Sequence, residues 1–123
     1  MVQTARYQPS GGPIEVHAVS GFMQPAVYTL HLWTKGEDRP EDLGGGVLLG
    51  GDVNVSALPL PTSRYAGRIL QAVVTVSLLM NGKRYAPAIR LLQGTREIGA
   101  DGVEKTTTRA SIGVQFLFLL EEE

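Results

Sequence analysis

Residues 69–92 read Ile69-Leu70-Gln71-Ala72-Val73-Val74-Thr75-Val76-Ser77-Leu78-Leu79-Met80-Asn81-Gly82-Lys83-Arg84-Tyr85-Ala86-Pro87-Ala88-Ile89-Arg90-Leu91-Leu92. Leu70, Ala72, Val74, Val76, Leu78 and Met80 alternate with Gln71, Thr75 and Ser77. That is the period of two of a half-buried strand. Asn81-Gly82 supplies the two positive-φ positions that a type I′ turn requires, so the stretch predicts a tight hairpin. Pairing Leu78 with Tyr85, Val74 with Ile89 and Ala72 with Leu91 gives both faces a consistent character, and a one-residue slip would destroy it. Pro87 then falls opposite Val76, where its missing N–H would be wanted, so a bulge or an edge is expected there.

Working outward, the same period recurs on both sides. Residues 14–20 place Ile14, Val16 and Ala18 on one face, with Glu15 and His17 on the other. Phe22-Met23-Gln24-Pro25 turns the chain. Residues 26–33 then place Tyr28, Leu30 and Leu32 inward, and Val27, Thr29, His31 and Trp33 outward. A polar loop is expected over 34–46, followed by a strand over 47–57 that Gly50-Gly51 bends or bulges. Pro59-Leu60-Pro61 ends that strand, and 62–68 reads as a loop with a short helical turn. Downstream, Asp101-Gly102 suggests a second tight turn. The tail is extended, with Ile112, Val114, Phe116, Phe118 and Leu120 on one face and Leu117 and Leu119 on the other.

Seven or eight sequential strands with almost no helix predict an all-β chain, a single-domain antiparallel β-sandwich or small barrel. The domain is expected to span 1–123, with 1–13 as an extended N-terminal arm. The chain has 123 residues, 43% of them apolar and 19% charged, which is enough for a packed core. Its net charge of −1 excludes a strongly basic nucleic-acid or membrane-surface binder. With no cysteine, disulfides, thiolate chemistry and cysteine-bound zinc are excluded together. No basic start followed by an apolar run opens the chain, and no apolar stretch is long enough to span a bilayer. A cytoplasmic or virion location without membrane association is therefore expected.

Chemistry-bearing motifs are scarce. Gly-x-Ser-x-Gly and the phosphate-binding glycine loop are both missing, and Gly44-Gly45-Gly46 fits no dinucleotide fingerprint. The reading is therefore no enzyme, no catalytic residue and no cofactor. Three alternatives stand beside that reading. Glu15, His17 and His31 would meet as a surface metal site if the first two strands paired with His17 opposite His31. The acids of 34–46, Glu37, Asp38, Glu41 and Asp42, would offer oxygens to calcium, a sugar or a protein. Arg84, Arg90 and Arg96 would make a basic face, but without the interleaved aromatics that single-strand binding uses, so no nucleic acid is expected.

The informative feature is apolar surplus on the solvent-side face. Val27, Trp33, Leu79, Leu117 and Leu119 all lie opposite the expected core side. Phe116-Leu117-Phe118-Leu119-Leu120 is apolar on both faces and must be covered, centrally placed or paired with another chain. Trp33, Leu117, Phe118 and Leu119 are thus expected at a subunit interface. The function this predicts is a non-catalytic assembly protein. It would be a sandwich subunit packing into a homo- or hetero-oligomer, such as a capsid-decorating or secretion-machine component.

Overall fold

The computed structural model describes residues 2–79 and 83–123. Eleven strands are present among these residues, and the sheets pack on one another without closing into a barrel. They are β1 (Val2–Tyr7), β2 (Ile14–Val19), β3 (Pro25–Trp33), β4 (Glu41–Leu49), β5 (Asn54–Ala57), β6 (Arg68–Ser77), β7 (Arg84–Tyr85), β8 (Ala88–Gln93), β9 (Arg96–Gly102), β10 (Lys105–Thr106) and β11 (Ser111–Glu122). A single 3-10 turn, Thr62–Tyr65, is the one helical element among the described residues. None of their helices is long and apolar enough to cross a membrane.

One sheet has the order β1-β11-β6-β3-β4, and the other has β5-β2-β8-β9. A two-stranded ribbon, β10-β7, sits beside them. The all-β sandwich reading holds, with more strands than the seven or eight expected. It is also not purely antiparallel, because β1 runs parallel to β11, with Val2 opposite Leu117 and Tyr7 opposite Glu122.

The expected hairpin over 69–92 is not formed. β6 lies between β3 and β11, with Val74 opposite both Tyr28 and Val114. β8 belongs to the other sheet, where Leu91 faces Val16 and Gly99. The chain therefore crosses from one layer to the other between β6 and β8. Alternation set which side chains point inward, and Leu70, Ala72, Val74, Val76, Leu78, Tyr85, Ile89 and Leu91 are all buried. Alternation does not name the neighbouring strand, and two layers ~10 Å apart are easily bridged by ten residues. The Asn81-Gly82 turn lies outside the described residues. Pro87 occupies the break between β7 and β8, where no ladder N–H is wanted, and its carbonyl accepts from Val103 N–H at 3.1 Å.

Three other boundaries differ from the reading. The 1–13 arm is in part a strand, β1, and its remainder is tied down. Gln93 accepts from Gln8 N–H at 2.8 Å and donates to the Gln8 and Gly12 carbonyls at 2.8 and 3.0 Å. The 34–46 loop stops at 40, because β4 starts at Glu41. The 47–57 strand is two strands in different sheets, parted at Gly50-Gly51 rather than bulged there. Glycine is required in β4, where the register slips opposite Leu30 and His31: a Cβ on Gly45 would stand 1.9 Å from the Tyr28 carbonyl oxygen. The second tight turn is at residues 94–95, between Gln93 and Arg96, and Asp101-Gly102 ends β9 instead.

The inner faces of both sheets make one core. Ala5, Tyr28, Leu30, Leu70, Val74, Phe116 and Phe118 come from the five-stranded sheet, and Ile14, Val16, Ile89 and Leu91 from the four-stranded one. Between the layers, Tyr28 OH donates to Asn54 Oδ1 at 2.5 Å and lies 2.6 Å from Ser56 Oγ, linking β3 to β5. Burial of each large side chain removes it from water at roughly 1.5–3 kcal/mol of stabilisation.

Candidate docking face

The outward faces of β3, β6 and β11 carry the residues that period two leaves over. Register places Trp33 beside Ile69, and Ile69 beside Leu119, in one row across three strands. In the next row, His31 sits beside Gln71 and Gln71 beside Leu117. Trp33, Ile69, Leu117 and Leu119 are each half-buried. They form an apolar groove on the solvent side of the five-stranded sheet, near the end where β3 and β11 finish.

Two open depressions flank the Trp33 indole. One, of about 340 Å³, is lined by Trp33, Thr34, Lys35, Gly67, Ile69 and Leu119. The other, of about 380 Å³, is lined by Trp33, Ile69, Gln71, Gln115 and Leu117. The indole is held from below by a chain of amides. Its Nε1–H donates to Gln71 Oε1 at 2.9 Å, and Gln71 Nε2–H donates to Gln115 Oε1 at 2.8 Å. A tryptophan fixed this way offers a rigid apolar plate, the kind of side chain that dominates protein–protein contacts.

Of the four expected interface residues, Trp33, Leu117 and Leu119 come together on this face. Phe118 does not: it points to the opposite side of β11 and is 0% exposed in the core. Its neighbours Leu117 and Leu119 face outward because side chains alternate across a strand. Ile69, Gln71 and Gln115 complete the groove, and sequence reading missed them. Ile69 and Gln71 belong to the outward phase of 69–77, but only strand order reveals that β6 separates Trp33 from Leu117.

The other candidates are dispersed. His17 and His31 lie on different sheets. His17 sits between Val55 and Arg90, and His31 between Asp42 and Gln71. His17 Nε2 is 3.3 Å from Glu15 Oε1, and this pair lies on the outside of the four-stranded sheet with Val55 and Arg90 beside His17. Among the described residues no group of three or more His, Asp or Glu is placed to hold a metal ion. Of the 34–46 acids, Glu41 is in β4 and bonded to Arg64, with Arg68 at 3.5 Å. The Arg64 hydrogen bond outweighs desolvation and, with the charges of Arg64 and Arg68, holds the Glu41 carboxyl below its usual range. Asp42 accepts from Gly44 N–H at 2.8 Å. The basic face is divided too: Arg90 pairs with Glu97 at 2.6 Å, Arg96 pairs with Glu123, and Arg84 stacks 4.6 Å over the Phe22 ring.

At the far end from Trp33, the turn Gly21–Gln24 is closed by Gln24 N–H to Gly21 O at 3.1 Å. Phe22 and Met23 both have positive φ, 49° and 55°. Two consecutive left-handed non-glycine residues cost about 1–2 kcal/mol each. The surroundings hold them there: Ala86 N–H donates to Ser20 O at 3.1 Å, Gln24 Nε2–H donates to Arg84 O at 3.0 Å, and Ser20 Oγ bonds the Gln24 carbonyl.

Comparison with protein-family models, curated proteins and solved structures returns no match.

Proposed function

We propose that the chain is a non-catalytic assembly subunit that receives a second copy of itself on the outer face of the five-stranded sheet. The observation that carries this reading is the Trp33, Ile69, Leu117 and Leu119 groove, half-exposed on the three central strands of that sheet. Apolar side chains gathered around an oriented tryptophan have the composition of an interface centre, and the Gln71, Gln115 and Thr34 groups supply a polar rim. The strand β11 is apolar on both sides because one side fills the core and the other meets a partner.

The ligand-binding alternative uses the acids of 34–46 to hold calcium, a sugar or a protein. Its support is weakened, because Glu41 and Asp42 are already bonded within the chain.

Light scattering across a concentration series tests the proposal. The wild-type chain is expected to gain mass with concentration. Leu117→Glu, which places a carboxylate in the groove, is expected to stay monomeric while its circular-dichroism melt remains cooperative. A wild-type chain that stays monomeric throughout would overturn the reading.

A further inference from the structure

Resting on that reading, we propose that the second copy lies on the whole outer face of the five-stranded sheet, through the same face of its own, about a two-fold axis running along β6. Apolar surface on this face extends well past the Trp33 groove. Val27 is 48% exposed, Val47 55% and Leu49 78%. They share the half of the face away from Trp33, because Val27 pairs with Val47 and Pro25 with Leu49.

The face is also free of charge across its centre. From Trp33 to Val27 on β3, from Ile69 to Thr75 on β6 and from Leu119 to Gly113 on β11, no outward position holds Lys, Arg, Asp or Glu. Charges stand at the border instead. Asp42 lies on the edge strand β4, Lys35 lies past Trp33, and Arg6 is 3.8 Å from Glu121 where β1 and β11 finish. A centre depleted of charge inside a polar rim is the anatomy of a protein–protein contact. It also selects the occupant. A partner surface carrying ionised groups would bury them unpaired here. The outer face of the four-stranded sheet, with Glu15, Arg90 and Glu97, is such a surface. The same face of a second copy brings no charge to the centre.

Area favours the whole face over the groove alone. The five strands span about 24 Å at ~4.8 Å each, and β3 runs ~26 Å from Pro25 to Trp33 at ~3.3 Å per residue. Two such faces laid together cover roughly 1,200 Å² between them, where stable specific interfaces begin.

Side-chain size fixes the axis. Trp33, Ile69 and Leu119 form one row with β6 at its middle. A two-fold along β6 lays Trp33 on the partner's Leu119 and Ile69 on the partner's Ile69, large against large. Further along the strands it lays Val27 on the partner's Gly113, where an added Cβ would meet nothing within 4 Å. A two-fold across the strands would set the Trp33 row on the hydroxyls of Ser77 and Ser111 and leave its bulk without apolar cover. An axis along the strands gives the aligned packing of two twisted sheets, whose strands cross at about 30°. The contact is isologous, so it closes at a dimer, with both four-stranded sheets turned outward.

Variants outside the groove test this. Val27→Lys puts a cation on the far half of the face, at a half-exposed residue, and is expected to weaken association at least about tenfold while its melt stays cooperative. Val47→Lys, on the edge strand, serves as the second variant should Val27→Lys unfold. Because the chain has no cysteine, single-cysteine variants report the axis. Thr75→Cys lies on β6 and is expected to cross-link to its own counterpart through a thiol-reactive linker of ~10 Å, the spacing of packed sheets. Leu49→Cys lies on β4, two strands from β6, so its counterpart stands some ~19 Å across the face and is expected to stay unlinked. The light-scattering mass is expected to level at a dimer, and added sodium chloride is expected not to dissociate it, since no ion pair holds the centre. If Val27→Lys and Val47→Lys associate as wild type does, if Leu49→Cys links as readily as Thr75→Cys, if mass grows past a dimer, or if salt dissociates it, the two-fold contact is overturned and the groove reading stands. If wild type stays monomeric, both fall.

Discussion

The two sheets turn unlike faces to solvent. Outside the five-stranded sheet, Trp33, Ile69, Leu117 and Leu119 gather across three adjacent strands, with amides between them. Outside the four-stranded sheet, Glu15 lies beside His17, and Arg90 bonds Glu97 across β8 and β9. The inner faces are alike, both lined by aliphatic and aromatic side chains in one core. The difference teaches where folding ends and association begins. Both inner faces are accounted for by each other, the outer face that mixes Glu15, His17, Arg90 and Glu97 with the single exposed Val55 is accounted for by water, and the groove is accounted for by neither.

The largest effect is expected within a single strand. Phe118→Ala should cost ~3–5 kcal/mol, since the ring is fully buried and its removal leaves a cavity. Leu117→Ala, one residue away on the outer side, should cost under ~1.5 kcal/mol of folding stability, because a half-exposed side chain has already kept part of its contact with water. Urea denaturation of both variants measures the ratio. Equal costs would mean that the groove belongs to the core, and the contrast between the two outer faces would disappear.

Alkaline pH tests the other side of that division. Burial, followed by the Glu122 carboxylate, pushes the Tyr7 phenol above its ordinary value. Burial also raises Tyr65, against the opposing charge of Arg64. A raised folded pKa means that stability is fully present below the unfolded value near ~10 and is lost as pH rises through the folded value. Thermal melts should therefore fall off above about pH 10, and Tyr7→Phe should flatten that fall. A curve flat to high pH in the wild type would show these phenols to be solvated, and the inner layer less closed than described.

Acid titration probes the border of the five-stranded sheet, where its charges sit. Glu41 is held below its usual range by Arg64 and Arg68, so its contribution is present above the unfolded pKa and is lost as pH falls through the lowered one. Both partners are partly exposed, so Glu41→Gln should cost only ~0.2–1 kcal/mol at neutral pH. It should also remove part of the acid-side loss. A variant that melts like wild type at pH 7 and at pH 3 alike would make this border as inert as the charged face of the other sheet.

Much of the contrast was legible in residue order. Period two placed Tyr28, Leu30, Val74 and Phe116 inward and Trp33, Leu117 and Leu119 outward, because a strand offers only two sides. Neighbours were not legible. The 69–92 stretch pairs convincingly with itself on paper, yet β6 joins β3 and β11, while β8 joins β2 and β9. Local alternation is satisfied equally by any partner of matching polarity, and the choice between a hairpin and a crossing is made by the whole core. Phe118 was misplaced for a related reason. A run apolar on both sides shows that two surfaces need covering, but only the core's position says which side each residue serves. Ile69 is not legible as a groove residue because only the order β11-β6-β3 sets it between Trp33 and Leu119.

The smallest effect should come from the charged outer face. Arg90 and Glu97 meet at 2.6 Å, with side chains 57% and 46% exposed. Water and salt screen such a pair, and holding two long side chains in one geometry costs rotamer freedom, so the net contribution of surface pairs clusters near zero. Arg90→Ala should shift stability by no more than ~0.5 kcal/mol. It should also leave the light-scattering mass curve of the wild type unchanged, since the partner surface lies on the other sheet. Loss of association in Arg90→Ala would place the contact on the wrong side of the sandwich for the Trp33 groove. An unchanged curve beside the monomeric Leu117→Glu would assign association to one outer face alone.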